Sequence, residues 1–109
     1  MAPGLHRLSG MSPLERLPLI FSLSTGADLA DRVCQQLGVR RSKHEEREFE
    51  DGELEIRPLA PVRGRDAYLL ESLHGDARLS VSEKLCRVLF LIGALEDAGA
   101  ARVTLFAPY

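Results

Sequence analysis

Phe49-Glu50-Asp51-Gly52-Glu53 is the stretch of this sequence whose residue types and spacing have the clearest capacity for chemistry. The phenyl ring of Phe49 offers a flat apolar face for stacking. The carboxylates of Asp51 and Glu53 accept hydrogen bonds. Gly52 carries no side chain and lets another molecule approach the backbone closely. Each residue also has an ordinary structural use. Phe49 can be a core residue at a strand end, Asp51-Gly52 can be turn chemistry, and Glu53 can be a solvated carboxylate. Turn and ligand roles are compatible.

Other reactive types are scattered. His6, His44 and His74 stand far apart and show no metal-ligand spacing, although His74 follows a strand, where α/β ligand sites gather. Arg63 sits in a turn and reads as solvated or ion-paired. No Ser or Cys has an evident base partner, so no nucleophile is assigned. The phosphate loop G-x-x-x-x-G-K-[ST] does not occur. Cys34 and Cys86 fall in helical patterns among apolar neighbours and read as buried, reduced thiols. Two such cysteines make neither a disulfide framework nor a zinc site, and cytoplasm is the natural compartment.

The chain has 109 residues, 45% hydrophobic and 28% charged, which suits one soluble globular domain. A formal net charge of −2 gives no electrostatic case for nucleic acid or an anionic membrane. No apolar run approaches the roughly 18–20 residues of a membrane span. Residues 1–17 contain Pro, Gly and Arg without apolar periodicity and read as a loose extension, with Met1 or Met11 as the start. Residues 18–109 form the domain.

The elements that must position these side chains alternate between strand and helix. Leu17 to Leu23 is a short apolar run, consistent with a buried strand. Ala27 to Leu37 is helical, with Leu29, Val33 and Leu37 as its apolar face. Ser24 or Thr25 caps its start and Gly38 ends it. Arg40 to Glu46 is a charged connection. Glu46 to Arg57 reads as a hairpin around a two-residue Asp51-Gly52 turn, because both positions tolerate positive φ. Pro58 and Pro61 end it. Asp66 to Ser72 is another strand, and Ser80 to Glu83 has the form of a capping box. A long helix then runs to Ala98, stops at Gly99, and is followed by a strand from Arg102 to Phe106. That helix is apolar on more than one face, so its second apolar face needs a cover from another domain or subunit.

Phe49-Glu-Asp-Gly-Glu53, Val62-Arg-Gly64 and the run Gly93 to Tyr109 (GALEDAGAARVTLFAPY) resemble the ribose-phosphate pyrophosphokinase family in order and separation. The resemblance spans Leu19 to Tyr109 and implies that residues 18–109 are the family's N-terminal, pyrophosphokinase domain, incomplete at its C-terminal end. The chain departs at the helix entry, where Ser80-Val-Ser-Glu-Lys-Leu85 replaces the Asn-Asp pair and L-M-E-L of many members. That marks a divergent branch.

The resemblance implies an α/β fold of the phosphoribosyltransferase type: a mostly parallel sheet flanked by helices, with a small antiparallel hairpin. It implies transfer of the pyrophosphoryl group of ATP to ribose 5-phosphate, with Mg²⁺, in an oligomer. It also implies that Phe49, Asp51, Gly52 and Glu53 contact the adenine of ATP bound mainly by a neighbouring subunit. The family's ATP loop, metal ligands and ribose-phosphate loop lie beyond the position of Tyr109. The 109-residue chain is therefore expected to hold no catalytic residue and no metal ligand, and to be inactive by itself. Two other readings stay open: a non-catalytic homologue that regulates by co-assembly, and an unrelated nucleotide-binding module of similar shape.

Overall fold

The computed structural model describes residues 17–73 and 79–108. His6, His74, the two candidate starts and the loose extension up to residue 16 lie outside them. In chain order the elements are β1 (Leu19–Phe21), a 3-10 turn (Ser24–Gly26), α1 (Ala27–Leu37), β2 (His44–Glu48), β3 (Leu54–Pro58), β4 (Asp66–Leu70), α2 (Val81–Asp97) and β5 (Arg102–Phe106). Strands β1, β4 and β5 form one parallel sheet in that order. Strands β2 and β3 form a separate antiparallel ribbon.

All three residues of β1 are buried, because its sheet is covered on both faces and leaves no side for polar residues. Leu19, Phe21, Ala67 and Leu69 pack with Val88, Leu91 and Leu95 of α2, and Ile56 and Val62 join them. On the opposite face Ile20 and Leu70 pack with Ala30 and Cys34 of α1. The small side chains of α1 thus make its contact. Leu37, expected on the apolar face, is 54% exposed, because Ala30 and Cys34 bring the helix close to the sheet along a neighbouring stripe.

Both helices end on a glycine with positive φ, Gly38 at 71° and Gly99 at 93°. Val39 N–H reaches the Cys34 carbonyl at 3.0 Å, and Ala100 N–H reaches that of Leu95 at 3.1 Å. These are the closing bonds of Schellman caps. At the other end of α2, the Ser80 hydroxyl accepts from Glu83 N–H at 3.2 Å.

The start of α1 differs from expectation. Ser24 and Thr25 lie inside the 3-10 turn, and Gly26 takes the cap position with no side-chain cap bond. The Thr25 hydroxyl instead donates to Glu71 Oε1 at 3.1 Å, since a carboxylate is a stronger acceptor than a neutral group. Cys86 also departs from the expected burial. It is exposed, on an outer surface of α2 where Val81, Leu85, Leu89 and Phe90 are 43–58% exposed.

Candidate functional site

The hairpin places Phe49, Asp51, Gly52 and Glu53 together at its tip, all exposed. Pairing runs from His44↔Pro58 to Glu48↔Leu54, so β2 begins two positions before the expected Glu46. The turn is not the two-residue type. Phe49 N–H donates to the Glu53 carbonyl at 2.8 Å and Gly52 N–H donates to the Phe49 carbonyl at 2.9 Å. Glu50, Asp51 and Gly52 therefore form a three-residue loop, a turn followed by a glycine bulge. Only Gly52 has positive φ, 86°, and no non-glycine residue among those described does. Asp51 instead secures the loop through its side chain, with Oδ1 accepting from Glu53 N–H at 3.0 Å.

Phe49 keeps 41% of its surface exposed. The Arg47 guanidinium lies over its ring, 5.5 Å from the centroid, within cation–π range. The tip thus presents an aromatic ring with one cation-bearing face, a carboxylate fixed by its own loop, and an open glycine.

Behind the tip, Glu46 collects three donors. Its Oε2 meets His44 Nε2 at 2.8 Å and accepts from Ser24 N–H at 3.3 Å. Its Oε1 lies 3.5 Å from Arg87, whose second nitrogen is 3.8 Å from Glu48. The hydrogen bond from His44 holds the Glu46 carboxyl below its ordinary range, against the opposing effect of burial.

A second inward glutamate sits at the carboxyl ends of β1 and β4, the edge where open α/β sheets receive ligands. Glu71 is fully buried, and Lys84 is 2% exposed. Burial pushes the Glu71 carboxyl up, while the Thr25 hydroxyl and the Lys84 charge pull it down. Its Oε2 has no hydrogen-bond partner among the described residues. A Cβ on Gly26 would run into that carboxylate, which explains the glycine there. Glu71, Lys84 and Glu46 were not among the residues picked out from sequence. A signal existed for one of them: Lys84 occupies the same helical stripe as the buried Val88, Leu91 and Leu95.

Of the remaining candidates, Arg63 forms an isolated bridge with Ala100 and packs its side chain beside Gly99, a structural use. His44 is committed to Glu46. Among the described residues, no three His, Cys, Asp or Glu side chains gather as a metal cluster, and no helix is long and apolar enough to cross a membrane.

A parallel sheet with a helix on each face and a separate hairpin beside it defines an α/β domain of the kind that binds ligands at its strand ends and loops. Comparison with known proteins narrows this. Residues 18–109 match the N-terminal domain of ribose phosphate pyrophosphokinase, and the chain belongs to that family. It is 32% identical over 90 residues to ribose-phosphate pyrophosphokinase 1 of Streptococcus pneumoniae, covering 83% of this chain and 27% of that protein. The corresponding protein of Streptococcus pyogenes serotype M1 is 29% identical over the same length, with the same coverage. The crystal structure of phosphoribosylpyrophosphate synthetase from Mycobacterium smegmatis superposes with a TM-score of 0.73 at 32% identity, covering 84% of this chain and 30% of that one. The chain thus spans under a third of the length of the relatives it matches.

Proposed function

We propose that this domain serves a ribose-phosphate pyrophosphokinase, in which ATP gives its pyrophosphoryl group to ribose 5-phosphate, and that its hairpin tip supplies half of the adenine pocket. The observation that carries this reading is the joint exposure of Phe49, Asp51, Gly52 and Glu53 on one ordered loop. Phe49 stacks on the base through the face that Arg47 leaves free. Asp51 and Glu53 accept from the adenine 6-amino group, and Gly52 admits the base to the backbone.

The loop is preorganised by its own hydrogen bonds, so little ordering cost falls on binding. A partner subunit completes the pocket, which makes an assembled oligomer the binding form. The exposed outer face of α2 is consistent with such assembly. The described residues do not build a cage for Mg²⁺. Positioning and charge neutralisation dominate phosphoryl-type transfer. This domain's share is the positioning of the nucleotide, and the free thiols at Cys34 and Cys86 suit a reducing, cytoplasmic setting.

The test is ADP titration of the assembled protein by calorimetry. Phe49→Ala removes a stacking contact of about 1–3 kcal/mol, so binding should weaken about 5- to 150-fold. Unchanged affinity would remove the adenine reading. The 109-residue chain alone is expected to form no phosphoribosyl pyrophosphate from ATP and ribose 5-phosphate.

A further inference from the structure

No backbone ladder joins the hairpin to the parallel sheet, and a two-stranded ribbon is marginal by itself. Strand β3 docks through apolar side chains, with Ile56 in the core and Leu54 against it. Strand β2 has nothing comparable to offer, since its sequence is His-Glu-Glu-Arg-Glu. Its inward positions are His44, 6% exposed, and Glu46, which pairs with buried Ile56. That carboxylate is 16% exposed and must find compensating donors to stay there.

The donors come from separate parts of the chain. Ser24 N–H belongs to the exit of β1, 22 residues away. Arg87 belongs to α2 and also reaches Glu48, the residue before Phe49. His44 comes from β2 itself. The placement of the hairpin must satisfy all three together. We infer that Glu46 is a positioning residue, which fixes where the hairpin presents Phe49, Asp51 and Glu53 by tying β2 at once to the exit of β1 and to α2. Its importance for nucleotide binding rests on the adenine reading above, and the experiment separates the two.

Hydrogen exchange of this chain by NMR, without nucleotide, tests the anchoring. Phe49 N–H and Gly52 N–H report the tip, and Glu71 N–H, bonded to the Phe106 carbonyl at 3.1 Å, reports the sheet. Glu46→Gln keeps the shape and removes the charge. It should lower protection at the tip about tenfold and leave the sheet amide unchanged. Arg87→Gln, which leaves Ser24 and His44 on Glu46, should give the same local pattern at smaller amplitude and serves if the first variant does not fold. In the parent chain, tip protection should fall as pH drops through the titration of Glu46, and Glu46→Gln should weaken that dependence, leaving the part that comes from the Asp51 and Glu48 carboxylates. A tip unchanged in both variants, or tip and sheet amides losing protection together, overturns the positioning role.

ADP titration of the assembled protein then links the anchor to the ligand. Weaker binding in both Glu46→Gln and Phe49→Ala supports the link. Weaker binding in Phe49→Ala alone overturns it. No effect of Phe49→Ala removes the adenine reading, while the exchange data still decide whether Glu46 anchors the hairpin.

Discussion

Among the described residues, two glutamates point inward, one at the carboxyl edge of the parallel sheet and one at the base of the hairpin, and their acidities move in opposite directions. Glu71 is fully buried. Its desolvation outweighs the Thr25 hydrogen bond, the Lys84 charge and the backbone hydrogen bonds from Leu23 and Ser72, and its carboxyl is pushed up. Glu46 retains 16% exposure and faces His44, Ser24 N–H and Arg87, and its carboxyl is held down. Residue type does not separate them. The balance between lost water and supplied donors does. The sheet edge is tightly filled, down to the glycine that makes room for a carboxylate. The hairpin is held by the apolar side chains of β3 and the polar ties of β2, and leaves its tip open.

The largest expected effect tests the buried side of this contrast. Lys84→Met leaves Glu71 without its cation in a dry site, and should cost about 3–5 kcal/mol at neutral pH in urea unfolding. The loss should shrink in acid, where Glu71 is neutral. A loss under about 1 kcal/mol would show that the two sites are not as different as their geometry implies.

Next comes Gly26→Ala, which forces a methyl against the buried Glu71 carboxylate. It should destabilise by about 1–3 kcal/mol. The same change in a Glu71→Ala background should cost clearly less, because the obstacle is gone. Additive losses would place the strain elsewhere.

The smallest effect is a difference of slopes. The raised Glu71 carboxyl keeps its proton to higher pH in the folded protein than in the unfolded chain. Its contribution to stability therefore declines as pH rises from the ordinary carboxylate range through the raised one. The lowered Glu46 carboxyl does the reverse. Its contribution is complete above the ordinary range and is lost as pH falls through the lowered one. Urea midpoints measured across acid and neutral pH should show Glu71→Gln removing a decline and Glu46→Gln removing an acid loss. Slopes of the same sign in both variants would end the comparison.

Much of the fold is legible in the sequence. The bounds of α1 followed from its glycine stop and its periodicity, and β5 followed from a short apolar run after Gly99. The two apolar faces of α2 were also legible, because ten apolar residues in one helix exceed what a single stripe can hold. The face of α1 that touches the sheet was misjudged. Periodicity counted large side chains, whereas close approach selected the small ones, Ala30 and Cys34. The hairpin was legible from Asp51-Gly52, but its turn type was not. Two-residue and three-residue loops share the same favoured glycine, and the choice depends on register along the whole ribbon.

Local chemistry settled what depends on neighbours in sequence: where helices stop, where the chain reverses, and that an aromatic ring and two carboxylates share one loop. The helical stripe signals that Lys84 turns inward, but tertiary structure decided which carboxylates do so and what neutralises them. Thr25 and Glu71 lie 46 residues apart, and Ser24 and Glu46 lie 22 apart. No local pattern encodes such meetings, because the energy of a buried charge depends on donors that only the packed chain brings within reach.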